Sequence, residues 1–447
     1  MTVRVRVTLR VRVTFIWNLS FDSQYLIMTI IEKILSKKVG QRVSAGERIW
    51  VPLDLVTMRD FGGPNAILEY KENFGDAPLF NKERVVITFD LHIPPRNEKV
   101  ARNQQICRKF AKTTGARLFD INQGIGQHIL WEHGMVQEGN TIIGTDSHMN
   151  LLGAFGVFAS GVGTTDIVAG MRYGKLWYRV PKTIKIELRG SLKNGVEAKD
   201  VILWVLKNLG TDSAIGKAIE FTGNVVESMG IAGKITLASM VTELSGEIGF
   251  FERTKEEILR FAQNDSGKQN DSGKKNNSDN EYEKVYEFDI SELSPQIACP
   301  HLPDNVKDVK EVAGTPIDQV FIGSCTNGRY EDLERTAKIL KGRKVKTRLI
   351  IVPASIKVAQ EALKNGLYEI FFDAGAVVVN PGCSLCTTGH PGILAPGERM
   401  VSTSNRNFIG KLGKGGEIWL ASPQTAAASA IRGEITEPES EIVNWNE

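Results

Sequence analysis

Three cysteines follow predicted strands in the second half of the 447-residue chain. Cys325 comes after QVFIG in the segment IGSCTNGR, and Cys383 and Cys386 come after AVVVN in NPGCSLC. Gly323 and Gly382, beside these cysteines, allow the backbone to come close to a bound group. Thiolates are ligands of iron–sulfur clusters, and a [4Fe–4S] cluster usually takes four of them. Three thiolates would leave one iron open, as a Lewis acid for catalysis.

The cysteine pair alone leaves other chemistry open. A structural zinc site needs four ligands, and His301 and His390 could supply the two that the pair lacks. A thioredoxin-like redox pair is a further alternative. The chain has five cysteines in total, an odd number that does not predict a disulfide framework, so a reducing cytoplasm is the expected compartment.

The elements that must position these cysteines alternate between strands and helices. Apolar, β-branched runs predict buried strands in RVVITF, TIIGT, TIKIEL, QVFIG, TRLIIVP and AVVVNPG. Helical patterns occupy NEKVARNQQICRKFAKTTG, AKDVILWVLKNLG, EDLERTAKILKG and SIKVAQEALKNG. This alternation predicts an α/β fold with mainly parallel sheets, in which functional residues gather at the carboxyl ends of the strands.

Two segments of unusual composition divide the chain. The first residues, MTVRVRVTLRVRVTFIW, alternate Val and Arg, and the helical pattern MTIIEKILSKKVG begins only at Met28. We therefore interpret 1–27 as an N-terminal extension outside the fold, or alternatively as an edge strand. Residues 255–283 are polar and repeat NDSGK, which predicts a disordered surface insertion. The expected fold then has two domains in 28–254 and a third in 284–447.

The composition argues against two classes of partner. The formal net charge is only +3, without the concentrated basic face that nucleic-acid binding requires. No run of 18 apolar residues predicts a membrane span. The weak positive charge is compatible with an anionic small-molecule substrate.

Five segments, in this order, resemble the aconitase superfamily: GTDSHMNLLGAFGVFASGVGTTD, PQIACPHLPDNVK, IGSCTNGR, NPGCSLC and STSNRNFIGKLG. The similarity runs from about Met28 to Pro438 outside the insertion. Within the superfamily, the chain is most similar to the separate large subunits of 3-isopropylmalate and homoaconitate dehydratases. The resemblance implies three α/β domains of the aconitase type around a central [4Fe–4S] cluster, held by Cys325, Cys383 and Cys386.

The resemblance also implies a substrate site beside the cluster. The catalytic residues that it implies are Asp90, His92, His128, Asp146, Ser147, His148 and Glu243. The residues that it implies for binding substrate carboxylates are Asn405, Arg406 and Lys411. On the residues alone, Asp146 could simply cap a turn, and the segment from Asn405 to Lys411 could be a solvated surface loop.

Several positions depart from the family's pattern. Leu91 stands where the family has the histidine of an Asp-His pair, so that His92 comes one step late. His128 and the glutamine before it stand in reversed order. Lys411 replaces an arginine, and Ser239 an asparagine. One step along a strand turns a side chain to the other face, so an impaired, non-catalytic paralogue is an alternative.

The activity implied by the resemblance is that of a hydro-lyase. It would isomerise a hydroxy-dicarboxylate by dehydration and rehydration, as in leucine biosynthesis, or act on homoaconitate or a methylated malate or citrate. The family's fourth, swivel domain has no counterpart here, so a separate small subunit is the expected partner, with neither nucleic acid nor a membrane. An iron-responsive RNA-binding protein is the alternative from another class.

Overall fold

The computed structural model describes residues 28–251, 282–386 and 392–438. The predicted N-terminal extension, residues 255–281 of the predicted insertion, and His390 lie outside the described residues. The last two residues assigned to the insertion, Tyr282 and Glu283, are described and directly precede a strand.

The first described helix, α1 (Ile30–Val39), begins and ends at local sequence signals. The Thr29 hydroxyl accepts a hydrogen bond from the Glu32 backbone N–H, and the Glu32 carboxylate accepts one from the Thr29 N–H. This reciprocal cap satisfies two N–H groups at the helix start. Gly40 ends the helix with φ +75°, a conformation that favours glycine.

Each of the three larger sheets, taken with its helices, is called a domain below, and the first domain contains a five-stranded sheet and a two-stranded ribbon. Its strands are β1 (Arg48–Pro52), β2 (Leu55–Arg59), β3 (Val85–Thr88), β4 (Arg117–Phe119), β5 (Thr141–Gly144), β6 (Phe158–Gly161) and β7 (Lys175–Arg179). Its helices are α2 (Gly63–Phe74), α3 (Glu98–Thr114), α4 (Gly126–Glu132) and α5 (Thr164–Tyr173), with 3₁₀ turns at Lys82–Arg84 and Met149–Phe155. The parallel sheet has the order β4-β3-β2-β5-β6, and β1 pairs with β7 antiparallel.

The second domain has a four-stranded parallel sheet. Its strands are β8 (Lys182–Arg189), β9 (Lys217–Thr222), β10 (Ile248–Phe251) and β11 (Lys284–Asp289), in the order β10-β9-β8-β11. Its helices are α6 (Ala198–Leu209), α7 (Asn224–Ser228) and α8 (Ile231–Met240), followed by a 3₁₀ turn at Val241–Leu244.

The third domain has a seven-stranded sheet. Its strands are β12 (Gln296–Ala298), β13 (Val306–Asp308), β14 (Gln319–Ile322), β15 (Arg348–Ile351), β16 (Val377–Val378), β17 (Arg399–Ser402) and β18 (Glu417–Ala421). Its helices are α9 (Val309–Val312), α10 (Ser324–Asn327), α11 (Tyr330–Leu340), α12 (Ile356–Lys364), α13 (Leu367–Ala374) and α14 (Pro423–Arg432), with a 3₁₀ turn at Ser384–Cys386. The order is β13-β12-β18-β17-β14-β15-β16, and the two antiparallel pairs are those of β12 with β13 and with β18.

The predicted α/β class with mainly parallel sheets is therefore confirmed. None of the helices in the described ranges combines the length and the apolar character of a membrane span. One apolar cluster joins Leu91 and Ile125 of the first domain to Cys325 and Cys383 of the third. The cysteines thus lie where the first and third domains pack together.

Candidate active site

The three predicted ligand cysteines converge at the junction of the domains. Cys325 lies in α10, directly after β14, and Cys383 and Cys386 lie in the loop that follows β16. Each thiol influences the pKa of the other two, so the three sulfur atoms lie near one another. The other two cysteines are buried elsewhere: Cys107 lies in α3, in the core of the first domain, and Cys299 follows β12.

Two glycines allow the cysteine loops to approach their neighbours closely. Gly323 has φ +153°, and a Cβ atom there would lie 2.7 Å from the Val352 carbonyl oxygen. A Cβ atom at Gly382 would lie 2.8 Å from the carbonyl oxygen of Asp90. That same oxygen accepts a hydrogen bond of 2.7 Å from the Cys383 N–H. The loop of Cys383 is therefore fixed directly against the loop of Asp90.

Polar groups surround the Cys325 sulfur. The Asn405 amide donates to Cys325 Sγ at 3.5 Å and to the Ser239 hydroxyl at 3.1 Å, and Ser239 Oγ lies 3.7 Å from the same sulfur. Thr326 donates to the Asn405 side-chain oxygen. Hydrogen bonds from Cys383 and Cys386 hold the pKa of Cys325 well below its usual range. Such donors favour the thiolate, the form that binds a metal.

Arg59, at the end of β2, bridges two buried carboxylates. Its Nε donates to Asp90 Oδ1 at 2.9 Å, and its Nη1 donates to Asp146 Oδ2 at 2.6 Å. Burial raises the pKa of Asp90 to about 7, against the opposing effect of Arg59. For Asp146, Arg59 and His148 outweigh burial and hold the pKa below its usual range. Two carboxylates with opposite pKa shifts are typical of a site for acid–base chemistry.

His148 connects this bridge to the other two domains. Its backbone N–H donates to Asp146 Oδ1 at 2.9 Å, and its Nε2 lies 3.1 Å from Glu243 Oε1. Arg406 Nε donates to the same Glu243 oxygen at 3.0 Å. Burial lowers the pKa of His148, but Cys325, Asp146 and Glu243 outweigh it and raise the pKa to about 9. His148 is therefore cationic at neutral pH. Ser147, beside it, is exposed.

The predicted carboxylate-binding segment follows β17. Asn405 and Lys411 are buried, so the alternative interpretation as a solvated surface loop is wrong for both. Lys411 Nζ donates to the Arg406 carbonyl at 2.5 Å and to Ser404 Oγ at 3.3 Å. Burial lowers the pKa of Lys411 to about 8. Lys411 therefore holds the loop in place, whereas the Arg406 side chain is 36% exposed.

The two displaced histidines lie in different surroundings. The His92 ring is buried 6.2 Å from the ring of Phe61, and its backbone N–H donates to Asp60 at 3.1 Å. His128, in α4, has Nε2 3.0 Å from the Cys325 carbonyl oxygen. The structure thus places His128 against the backbone of Cys325, one of the predicted ligand cysteines. The catalytic roles of both histidines stay predictions.

Sequence reasoning missed three charged residues of this site: Arg59, Asp60 and Lys199. A signal existed for the first two, because Arg59 ends the buried strand β2 and Asp60 directly follows it, in the same way that Asp146 lies just after β5. Gly62, two residues after Asp60, lies against the residue that follows β5, because a Cβ atom there would meet Thr145 Cβ at 2.9 Å. Lys199 follows no strand and gave no such signal.

The match of the chain to known proteins agrees with this geometry. The model of the aconitase family (aconitate hydratase) matches residues 32–433, which include every residue of the candidate site. The chain belongs to the aconitase family.

Similar full-length relatives carry one description. The chain is 43% identical over 418 residues to a probable 3-isopropylmalate dehydratase large subunit of Methanothermobacter thermautotrophicus, covering 92% of this chain and 99% of that one. It is 43% identical to 3-isopropylmalate dehydratase large subunit 1 of Archaeoglobus fulgidus, with 92% and 98% covered. It is also 43% identical to the 3-isopropylmalate dehydratase large subunit of Thermoanaerobacter sp., with 92% and 99% covered.

Proposed function

We propose that this chain is the large subunit of a hydro-lyase that interconverts 2-isopropylmalate and 3-isopropylmalate by dehydration and rehydration. The observation that carries the proposal is the meeting of acid–base and thiol groups: ligand atoms of Asp90, Asp146 and Cys383 all lie within 4.8 Å of one another. The substrate assignment follows from the relatives, which are 3-isopropylmalate dehydratase large subunits.

Cys325, Cys383 and Cys386 would hold a [4Fe–4S] cluster. The residues fit such a group, because three thiols converge and the Asn405 amide and Ser239 hydroxyl contact the Cys325 sulfur. When bound, the cluster would supply an open iron as a Lewis acid for the substrate's hydroxyl and carboxylate. The reduced thiols that it needs are consistent with the cytoplasm as the compartment.

The residues around this position would move and hold protons. Asp90, with a pKa of about 7, retains a proton in part at neutral pH, which suits a general acid for the leaving hydroxyl. We keep His92 as its proposed companion and His128 as a supporting residue. Cationic His148, between Asp146 and Glu243, would orient the substrate oxygen by donating a hydrogen bond.

The segment after β17 would bind the substrate carboxylates. Arg406 is reachable from solvent, and its guanidinium offers the planar geometry that carboxylates accept. Asn405 and Lys411 shape the same loop from within. The base that removes the carbon-bound proton would come from a separate small subunit, consistent with relatives described as large subunits.

The first test is reconstitution with iron and sulfide under anaerobic conditions. We expect a brown protein with about four irons per chain. Cys325→Ser, Cys383→Ser and Cys386→Ser should each lose the cluster, whereas Cys107→Ser, at a buried cysteine of another core, should retain it. Retention of the full cluster in one of the three variants would remove that cysteine from the ligand set.

The second test measures turnover of 2-isopropylmalate by enoate absorbance. Reconstituted chain alone should be nearly inactive, and titration with the small subunit should restore activity by several orders of magnitude, because a catalytic group is supplied. Full activity of the chain alone would place the base within it. A reconstituted pair that converts homoaconitate but not 2-isopropylmalate would overturn the substrate assignment.

A further inference from the structure

Lys199 is a fully buried lysine in the first turn of α6. Removing an ammonium group from water is costly unless its charge and its protons are compensated. Its position is also unfavourable electrostatically, because the N-terminal end of a helix carries partial positive charge. Two unfavourable features at one residue require a specific set of contacts.

The Lys199 ammonium makes three contacts, one for each of its protons. It donates to the Ser404 carbonyl at 2.8 Å and to the Thr403 carbonyl at 3.1 Å, and it lies 3.7 Å from Met240 Sδ. All three acceptors are uncharged, so they satisfy the hydrogen bonds without neutralising the charge. Two of the acceptors are consecutive carbonyls of the third domain, although Lys199 belongs to the second.

Those two carbonyls lie in the segment that holds the candidate cluster site. The Thr403 hydroxyl accepts from the Gly323 N–H at 2.9 Å and donates to the Gly323 carbonyl at 3.0 Å, two residues before Cys325. Asn405, the residue after Ser404, donates to Cys325 Sγ at 3.5 Å. Lys199 therefore contacts the backbone of the 403–405 segment. This segment holds Cys325 in two ways, through the backbone of Gly323 and through the Cys325 sulfur.

The negative charge that favours the ammonium comes from the site itself. Burial, with the nearby cation Lys411, lowers the pKa of Lys199 to about 7, while Cys325, Glu243 and Cys386 act in the opposite direction. Two of these three groups, Cys325 and Cys386, are proposed cluster ligands. A bound anionic group at the thiols would therefore be compensated by a cation buried within the protein.

We propose that Lys199 is a positioning residue of the cluster site: it ties the 403–405 segment to the second domain and supplies a buried positive charge opposite the cluster. The inference rests on the proposed function, because it requires a cluster at the three thiols. It concerns how the second domain, which contributes none of the three proposed ligand cysteines, controls the properties of that cluster.

The test uses the full chain, reconstituted with its cluster, in three variants. Lys199→Met removes the charge and the hydrogen bonds, Lys199→Gln keeps donor protons but removes the charge, and Lys199→Arg keeps the charge. Lys207→Met is the matched control, because Lys207 lies exposed in the last turn of the same helix. The readouts are the midpoint potential of the cluster, followed by electron paramagnetic resonance, and the rate of iron loss to a chelator.

A buried positive charge stabilises the more negative, reduced cluster. We expect the midpoint potential of Lys199→Met and Lys199→Gln to shift to more negative values, with Lys199→Arg and Lys207→Met close to wild type. Iron loss from Lys199→Met should be at least about tenfold faster than from wild type, a common effect of removing a residue that orients a ligand.

Each other outcome overturns a defined claim. Unchanged midpoint and iron loss in Lys199→Met and Lys199→Gln, with wild type carrying a cluster, would refute the inference and leave the proposed function intact. Failure of wild type to bind a cluster would refute the proposed function itself. Insolubility of all three Lys199 variants, with a soluble Lys207→Met, would assign Lys199 to folding and also refute the inference.

Discussion

Asp60 fixes the loop that carries the proposed general acid, and the substitution Asp60→Asn should separate this positioning from the acid itself. One oxygen of the buried Asp60 carboxylate accepts from the N–H groups of Asp90 and Leu91, at 3.4 and 3.2 Å. The other accepts from the His92 N–H at 3.1 Å and the Gln104 amide at 3.3 Å. An asparagine keeps the shape but can accept at only one of its two ends.

Two of these four hydrogen bonds must therefore be lost in Asp60→Asn. A hydrogen bond to a charged group contributes roughly 1.5–3 kcal/mol. The distances of 3.1–3.4 Å are longer than the usual value of about 2.9 Å, so the low end applies. The expected loss is then about 3 kcal/mol in the free energy of unfolding. The activity of the reconstituted enzyme should fall as well, because the Asp90 carboxyl is displaced.

The assay is urea unfolding of the unreconstituted chain at neutral pH, which yields the free energy of unfolding by linear extrapolation. Asp76→Asn is the control, because Asp76 is exposed in the same domain and should change stability by no more than about 0.5 kcal/mol. If Asp60→Asn is as stable as this control, the carboxylate does not hold the loop and the positioning argument fails.

Two further substitutions test buried charges at the site and away from it. Arg59→Met should lower the free energy of unfolding by roughly 3–5 kcal/mol, because Asp90 and Asp146 lose their shared cation. Urea unfolding that matches wild type would refute the claim that Arg59 stabilises these two carboxylates. Burial raises the pKa of Asp200 to about 8. The folded state therefore binds one more proton than the unfolded state between about pH 4 and pH 8. The free energy of unfolding should fall as pH rises through that window, by at most about 1.4 kcal/mol per pH unit. Urea unfolding at pH 5 and pH 8.5 should show that Asp200→Asn loses part of this pH dependence. The control Asp212→Asn, at an exposed position, should keep it. The same change of unfolding free energy with pH in wild type and both variants would contradict the prediction.

The parts of the fold that depend on local pattern could be predicted from the sequence. Strands β3, β5 and β14 stand where the apolar runs predicted them, because their residues are buried on both faces of parallel sheets. Asp146 and Cys325 follow such strands and do meet at one place. The predicted strand before Cys383 is shorter than its apolar run, since β16 has only two residues.

The parts that depend on contacts between loops could not be predicted in this way. The one-step displacement of His92 could turn the ring either way, because Asp90 to His92 lie in a loop after β3 and no sheet fixes their direction. Their orientation depends on Asp60, which is 30 residues away. In the sequence, Lys199 looks like an ordinary lysine of an amphipathic helix. Its contacts with the Thr403 and Ser404 carbonyls depend on how a third-domain loop packs on that helix.

The charged groups of the site form one alternating chain across the three domains. In order of contact, with carboxylates and cations alternating, they are Asp90, Arg59, Asp146, His148, Glu243 and Arg406. Each inner member contacts two groups of opposite charge, so the loss of one leaves two like charges facing each other. Glu243, from the second domain, separates a cation of the first domain from a cation of the third. Because buried charges are stable only when paired, the alternation couples the packing of the domains to the ionisation of the site. The effects on stability of substitutions among these six charged residues should therefore be strongly non-additive, as expected for residues of one network.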